Sequence, residues 1–535
     1  MTEAVDERPL FSVLVPVFNP PIEFLDEAIA SVLRQSWGDW QLVLADDAST
    51  DPGVGDVLRR AAAADSRVTV VTLPENGGIV AASNAALEAA TGEFVVLLDH
   101  DDALSAVALV RIAQELERHP EADYLYSDED KLDERGEFVD PFFKPDWSPE
   151  RMRNQMYTGH VSVLRTALVR ELGGFRPGFD GAQDHDLVLR VTERARSIRH
   201  IPEILYHWRV HRSSTASSAE AKPYAWDAQV RAVAEHLQRT GRSGTAERGA
   251  WPGVVAIRRD LDALPRISVV IPTRGGSGTV WGEERVFVVE AVRSLLARTR
   301  HEDLEIVVVY DTSTPSEVLT ELRAVARDKL VLVEYTKPFN FSEKCNVGAL
   351  ASTGEIIVLL NDDTEAASDR ALEELCAPLE DPEVGMTGGQ LYFEDDHIQH
   401  AGHYYQNRGY GHPFQNLSRG EPGDFAVLDV DREVSGVTAA CAALRRSTYF
   451  EIGGLDELLS VNFNDVDLSY KVRRAGLKVL YANRARFYHF ESRTREPVVL
   501  KWELDEVRRR WGIPGRDPYL PATDRHRSRR ELAGV

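Results

Sequence analysis

Asp99, Asp101 and Asp102 arrive together, with His100 between them, directly after the apolar run Phe94-Val95-Val96-Leu97-Leu98. An Asp-x-Asp step such as Asp99–Asp101 offers hard oxygen ligands to Mg²⁺ or Mn²⁺, and a diphosphate can complete the shell. Five apolar residues are too few to cross a membrane and suit a buried strand. In an open α/β sheet the C-terminal end of such a strand is where ligands bind. Taken alone, the stretch reads equally well as a solvated acidic loop.

The stretch occurs twice. Ile356 to Thr364 reads Ile-Ile-Val-Leu-Leu-Asn-Asp-Asp-Thr, and the offset from Asp101 to Asp363 (363 − 101) equals that from Asn84 to Asn346 (346 − 84). Upstream, the apolar strand around Pro16 (Phe-Ser-Val-Leu-Val-Pro-Val) matches that around Pro272 (Ile-Ser-Val-Val-Ile-Pro-Thr). This is a duplicated domain rather than a short-period solenoid, whose units recur every few tens of residues.

The elements that must carry these groups follow from periodicity. In the first half, strands are expected at 10–17, 41–45, 68–72, 124–126, 158–164 and 204–211, with helices at 22–35, 79–90, 104–118 and from Leu187. Asp47 follows the second strand, where a carboxylate can read a nucleobase N–H or a ribose hydroxyl, or more simply cap the next helix. Asn84 rides on the helix after the turn Asn76-Gly77-Gly78. Asp184, in Gln183-Asp184-His185-Asp186, opens another helix, where a carboxylate is a dipole partner or a base aimed into a cleft. The last strand carries His207, Arg209 and His211, which with the acidic motifs make a phosphate-side cluster. A helix at 222–240 and a linker at 241–265 lead to the second half. There Asp311 stands where Asp47 does, Asp465 where Asp184 does, and His489 ends the closing strand. The loop Arg274–Gly278 lacks a Walker spacing and is expected to be a flexible insertion. The tail after 500, with a short helix around Trp511, is expected to be solvated.

Composition sets the class. A chain of 535 residues with 43% hydrophobic and 28% charged residues is an ordinary globular protein long enough for two cores. Its net charge of −24 argues against a nucleic-acid partner, which calls for a basic face. No apolar run approaches the eighteen or so residues of a membrane span, and residues 2–9 are polar and acidic. Cys345, Cys376 and Cys441 lie far apart without metal-ligand spacing, which fits a reducing cytoplasm.

Five motifs in one order, twice over, resemble family 2 glycosyltransferases, and the whole chain resembles the tandem members that build bacterial surface polysaccharides. The resemblance covers roughly residues 10–218 and 266–496. It implies an α/β fold of two tandem, Rossmann-like GT-A domains, at 1–240 and 266–500, with the linker at 241–265 and a tail at 501–535. It implies inverting transfer of sugars from a nucleotide-sugar donor, with UDP- or dTDP-sugars favoured, to a glycan or polyprenol-linked glycan acceptor. It also implies a divalent metal, Mn²⁺ or Mg²⁺, and a cytoplasmic enzyme with peripheral contact at the inner face of the membrane. By the resemblance, Pro16, Asp47, Asn84 and Asp99, and likewise Pro272, Asp311, Asn346, Asn361 and Asp362, belong to the donor site. Asp101 with His211, and Asp363 with His489, hold the metal, and Asp184 and Asp465 are the bases. Three departures stand out. Asn361 replaces the carboxylate of Asp99, Gln183 and Asn464 replace the Glu of the usual Glu-Asp pair, and His207 competes with His211 for alignment to His489. The alternatives are one catalytic domain with a scaffold domain, a sugar nucleotidyltransferase, or a non-enzymatic nucleotide-binding protein. The nucleotidyltransferase calls for a basic glycine-rich loop after the first strand, where this chain has Phe18-Asn19-Pro20-Pro21. A mere binder leaves Asp184 and Asp465 unexplained.

Overall fold

The computed structural model describes residues 9–210, 223–406, 409–490 and 499–520. The fold divides into two units, residues 1–257 without 149–151, and 258–535 with 149–151.

The first unit is built on nine strands, β1 (Phe11–Val17), β2 (Trp40–Asp46), β3 (Val68–Thr72), β4 (Phe94–Leu97), β5 (Ala103–Leu104), β6 (Tyr124–Leu132), β7 (Phe138–Phe142), β8 (Ser162–Arg165) and β9 (Ile198–Arg209). They form one sheet in the order β3-β2-β1-β4-β8-β6-β9-β5, with β7 on β6. β1 runs parallel to β2 on one side and to β4 on the other. Such a sheet needs crossover helices, supplied by Ile22–Leu33, Pro52–Ala64 and Gly78–Ala89. Both faces are therefore covered, and β1, β2 and β4 read as nearly continuous apolar runs (Phe11, Val13 and Val15 to one core, Leu14, Val43 and Val95 to the other). Pairing of β1 with β4 ends at Leu14, so no ladder bond to β4 needs the N–H that Pro16 lacks. The Pro16 carbonyl instead accepts a hydrogen bond from His100 Nδ1 at 3.0 Å.

Between the two sheets, β10 (Thr245–Arg248) and β11 (Val255–Arg258) form a small ribbon that, but for Arg258, lies in the first unit. Most of the stretch expected as a linker belongs to the first unit. Val255 and Ile257 enter its core, and Trp226 Nε1 donates to the Val254 carbonyl at 2.7 Å. The second sheet uses β12 (Ile267–Thr273), β15 (Leu304–Asp311), β16 (Leu330–Tyr335), β17 (Ile356–Leu360), β18 (Thr364–Ala366), β19 (Val384–Tyr392), β20 (Ile398–His400), β23 (Arg432–Glu433), β24 (Cys441–Arg445) and β25 (Lys478–His489). Its order is β16-β15-β12-β17-β24-β19-β25-β18, strand for strand that of the first. Two hairpins complete the unit, β13 (Ser277–Val280) with β14 (Glu283–Val286), and β21 (Tyr404–Gln406) with β22 (Gly409–Gly411). The first replaces the flexible insertion expected after Arg274, because Val280 packs against Phe287 and Phe490.

Two expectations are revised by partners distant in sequence. The strand expected at 124–126 runs on through the acidic Ser127–Asp130, which is buried. Asp128 accepts from Lys144 N at 2.8 Å and sits 2.9 Å from His200 Nε2, Glu129 accepts from Lys144 Nζ at 2.8 Å, and Asp130 lies 2.6 Å from His207 Nδ1. The tail's helix, Lys501–Trp511, belongs to the second unit rather than to solvent. Glu503 is fully buried and accepts from Val461 N and Asn462 N at 3.0 Å each.

Candidate active site

In the first unit the ends of β1 and β4 and the starts of two helices enclose a cleft lined by Pro16, Ser83, Asp99, Phe175, Gln183 and Asp184. It lies beside the β1/β4 pair, at the carboxyl edge of the parallel strands, where open α/β sheets bind ligands. Asp184 is on the first turn of Gln183–Thr192. It is deep among protein atoms but still reached from the cleft, where it accepts a hydrogen bond from Gln183 Nε2 at 3.3 Å. Burial, then the charge of Asp99, pushes its carboxyl up to about 6, with His160 opposing. Its neighbour Asp186 takes the structural role open to any acid at this helix start, held by Arg190 Nη2 at 2.8 Å and Arg176 Nε at 3.0 Å.

The acidic run after β4 is shaped from below by Tyr206 and Arg209 of β9. Tyr206 Oη donates to Asp102 Oδ2 at 2.5 Å, and Arg209 N donates to Asp102 Oδ1 at 2.7 Å. Arg209 Nε donates to the Asp101 carbonyl at 2.8 Å. Burial, then Asp99 and Asp101, raises the Asp102 carboxyl well above the usual carboxylate range. Asp99, Asp102 and His160 each bring one donor atom within 4.8 Å of the others. Asp102 belongs to the acidic stretch read from the sequence, whereas His160 was not singled out there. His160 follows Gly159 just ahead of β8, in no recognisable motif.

The expected donor contacts divide. Both oxygens of Asp47 accept backbone N–H groups, from Gly77 and Gly78 at 2.8 Å each, so it closes the glycine turn. Asp311 instead pairs with the buried Lys344, 2.8 Å from Nζ, and Lys344 also donates to the Thr273 carbonyl. Asn84 is engaged at both ends of its amide. Nδ2 donates to the Phe175 carbonyl at 2.8 Å and Oδ1 accepts from Phe175 N at 2.9 Å. Asn346 repeats this with Leu455, at 2.9 and 3.1 Å, and also accepts from Tyr449 Oη at 2.6 Å. Both asparagines, expected in the donor site, serve in this structure as fastenings, with backbone groups bonded to both polar atoms. Each ties its helix to the turn before the base-bearing helix. A Cβ at Gly174 or Gly454 meets that asparagine oxygen at 2.5 or 2.7 Å, and both glycines have positive φ (68° and 60°), which explains the paired glycines of both turns.

In the second unit Asp363 lies 3.2 Å from His489 Nε2, and Asn361 Nδ2 lies 3.1 Å from the same nitrogen. His489 Nδ1 is 2.7 Å from Gln399 Oε1, so Nδ1 carries the proton and Nε2 accepts from Asn361 Nδ2. Asp362 accepts from Thr273 Oγ1 at 2.7 Å, and burial, then Asp363, raises its carboxyl. Asp465, on the first turn of Asn464–Arg474, accepts from Val466 N at 2.8 Å, and burial raises it against the opposing charge of His412. Pro272 occupies the place of Pro16 in β12.

His207 turns to Asp130 and stacks on Phe138 with ring centres 4.2 Å apart. His211 lies outside the described residues.

Three further histidines, His400, His403 and His412, bring one nitrogen each within 4.8 Å, the composition of a transition-metal site. Their hydrogen bonds argue otherwise. The N–H groups of Gly402 and Thr438 both donate to His400 Nε2 at 3.3 Å. That nitrogen keeps its lone pair, so Nδ1 carries the proton and donates it to His412 Nδ1 at 2.8 Å. The trio is a packed imidazole cluster whose His412 acts on Asp465. Burial first, then mutual repulsion, holds His400 and His403 well below the ordinary imidazole range.

Comparison with known proteins covers both units. The family described as Glycosyl transferase family 2 matches residues 12–172, and Glycosyltransferase like family 2 matches residues 265–513. An uncharacterized protein, y4gI, of Sinorhizobium fredii is 41% identical over 96% of this chain, and the O-antigen biosynthesis protein RfbC of Myxococcus xanthus is 37% identical over 97%. The chain spans 57% and 41% of the lengths of those two relatives. Among solved structures, S. aureus TarS in complex with UDP-GlcNAc aligns at a TM-score of 0.36 with 23% identity, over 42% of this chain and 66% of that one.

Proposed function

The chain belongs to glycosyltransferase family 2, and we propose that each of its two units transfers a sugar from a nucleoside-diphosphate sugar to a glycan hydroxyl by single displacement with inversion. The observation that carries this reading is the same in both units. A carboxylate with a raised pKa, Asp184 or Asp465, opens a helix fastened by Asn84 or Asn346. In the first unit that carboxylate shares its cleft with Asp99.

A sugar hydroxyl is a poor nucleophile, and a base within hydrogen-bond reach raises its reactivity. Asp184 and Asp465 take that proton as the hydroxyl oxygen bonds to the anomeric carbon. The bond from that carbon to the diphosphate oxygen breaks on the opposite face, which inverts the configuration. No carboxylate nucleophile is needed, in contrast to a retaining mechanism. A carboxyl held near 6 is ionised at neutral pH yet basic enough to accept a proton.

A divalent cation fits the residues present. Asp363 and His489 Nε2, 3.2 Å apart, would form an oxygen-and-imidazole donor set once Asn361 yields that nitrogen, and Asp99, Asp101 and Asp102 would supply oxygens in the first unit. When bound, the cation supplies charge that offsets the negative charge of the departing diphosphate. Asn361 removes one anionic group from the second site, the feature that favours a scaffold role for that unit, while the retention of Asp363, Asp465 and His489 supports activity in both.

The O-antigen name of one relative supports a surface-polysaccharide acceptor, either a free or a polyprenol-linked glycan. No described helix is long and apolar enough to cross a membrane, so contact with a lipid-linked acceptor is peripheral in this reading.

Calorimetric titration with a panel of UDP- and dTDP-sugars plus Mn²⁺ tests the proposal without the acceptor. Wild type should show two sites, Asp101→Ala should lose one and Asp363→Ala the other. A single site lost only in Asp101→Ala makes the second unit a scaffold. No metal-dependent binding removes the mechanism.

A further inference from the structure

The closing edges of the two sheets are in register, and comparing them locates a substitution. In the second unit Thr364, Glu365 and Ala366 pair with His489, Tyr488 and Phe487. In the first, Ala103 and Leu104 pair with His207 and Tyr206. Ala103 follows Asp101 by two residues, as Glu365 follows Asp363. His207 therefore occupies the place of Tyr488, and the next residue, Trp208, occupies the place of His489. Within the described residues, the closing strand of the first unit brings no imidazole to the acidic run.

An imidazole reaches it from another element. Arg165 faces Phe94 and Arg445 faces Ile356, so counting five residues back from each arginine equates His160 with Ala440. The equivalence holds locally, since the Ala440 carbonyl accepts from the N–H of Asn361, the counterpart of Asp99. One unit has His160 and Trp208, the other Ala440 and His489. Each has one imidazole at this position, from opposite sides.

We propose that His160 is the nitrogen ligand of the divalent cation in the first unit, serving there in place of His489. This rests on the reading above that the acidic run of that unit binds a cation.

Three observations support it. A donor atom of His160 lies within 4.8 Å of those of Asp99 and Asp102, a mixed oxygen and nitrogen set suited to Mn²⁺. Neither ring nitrogen of His160 is hydrogen-bonded among the described residues, so one lone pair is available. The ring is also held. It stacks on Tyr206 at 4.5 Å and meets the Trp208 ring at 6.1 Å. Its backbone N–H donates to Glu129 Oε2 at 2.9 Å. Fully buried Lys144 clamps the same loop by donating to the carbonyls of Thr158, at 2.6 Å, and His160. A buried ammonium is costly unless fully bonded, and here its bonds go to Glu129 and to this loop. His207 offers no comparable geometry, being bonded to Asp130.

Pulsed electron paramagnetic resonance on the full chain tests this with Mn²⁺ and UDP as probes. Asp363→Ala silences the second unit. The remaining Mn²⁺ should show modulation from one directly bound ¹⁴N, which changes to the ¹⁵N pattern when histidine is ¹⁵N-labelled. His160→Gln should abolish the modulation and weaken Mn²⁺ by about tenfold, while His207→Gln should leave both unchanged. His160→Phe keeps the stack on Tyr206 without a nitrogen, and should give the same loss if the glutamine variant misfolds. Modulation that survives both His160 variants and vanishes in His211→Gln overturns the proposal while leaving the metal reading intact. Failure of the Asp363→Ala chain to bind Mn²⁺ removes the metal reading and the proposal together.

Discussion

Asp184 and Asp186 sit two residues apart on one helical turn and have opposite fates. Asp186 is fully buried between two guanidinium groups, while Asp184 opens on the cleft with only an amide beside it. Sequence could offer both readings of an acid at a helix start but could not assign them, because Arg176 and Phe175 come from a turn whose packing is tertiary. The raised carboxyl gives a prediction with a definite sign. Its protonated form is favoured in the folded chain, so the stability it contributes is full below about 4 and is lost as pH rises through about 6. Above that, the ionised group is a cost that asparagine does not carry. Asp184→Asn should therefore melt slightly higher at pH 8, by an amount of the order of 1 kcal/mol given the solvent in the cleft. The same change should lower transfer by the first unit about 10²–10⁴-fold with nucleotide affinity nearly intact. In the wild type, the acid limb of that unit's rate should fall near pH 6. A limb near 4, or a variant with full transfer, removes Asp184 as the base.

At the scale of elements, period and punctuation in the sequence located the parallel strands, the crossover helices Ile22–Leu33 and Gly78–Ala89 but not Pro52–Ala64, and the repeat. Alternation and apolar runs are local properties, and the burial they demand is the same wherever the partner strand lies. What stayed hidden depended on distant pairs. The acidic stretch of β6 becomes strand because Lys144, His200 and His207 meet it. Asn84 and Asn346 were legible as repeated positions, yet their work is between elements. Each joins a helix to the Gly-Gly turn that precedes the base. Asn84→Ala should leave two backbone groups of Phe175 unpaired and cost about 2 kcal/mol. Because the turn leads to Asp184, kcat of the first unit should fall more than the affinity for UDP. A thermal melt with calorimetry of UDP binding separates the two. If UDP affinity falls as far as kcat, the asparagine touches the donor after all.

At the scale of the whole molecule, one ancestral sheet is used twice and its margins have diverged. The strand order is the same in both units, while the imidazole at the acidic run, the anchor of Asp47 or Asp311 and the closure of the base helix differ. In the second unit the base helix is closed by the segment after residue 500, whose arginine-rich composition disguised it as a solvated tail. Trp511 Nε1 donates to Asp467 Oδ1 at 2.8 Å, and buried Glu503 holds the N–H groups of Val461 and Asn462, just ahead of Asp465. Asp517 Oδ2 accepts from Tyr405 N at 2.6 Å, next to the histidine cluster. A chain ending at residue 500 should therefore keep a first unit that binds nucleotide sugar at wild-type affinity, and lose transfer by the second. Glu503→Gln tests the same closure without truncation, since an amide can accept at only one of its two terminal atoms where the carboxylate accepts at both. It should lower second-unit turnover while leaving the first unchanged. If the truncated chain retains both activities, Asp465 is held by Asn464–Arg474 alone and the segment after 500 has no part in the site.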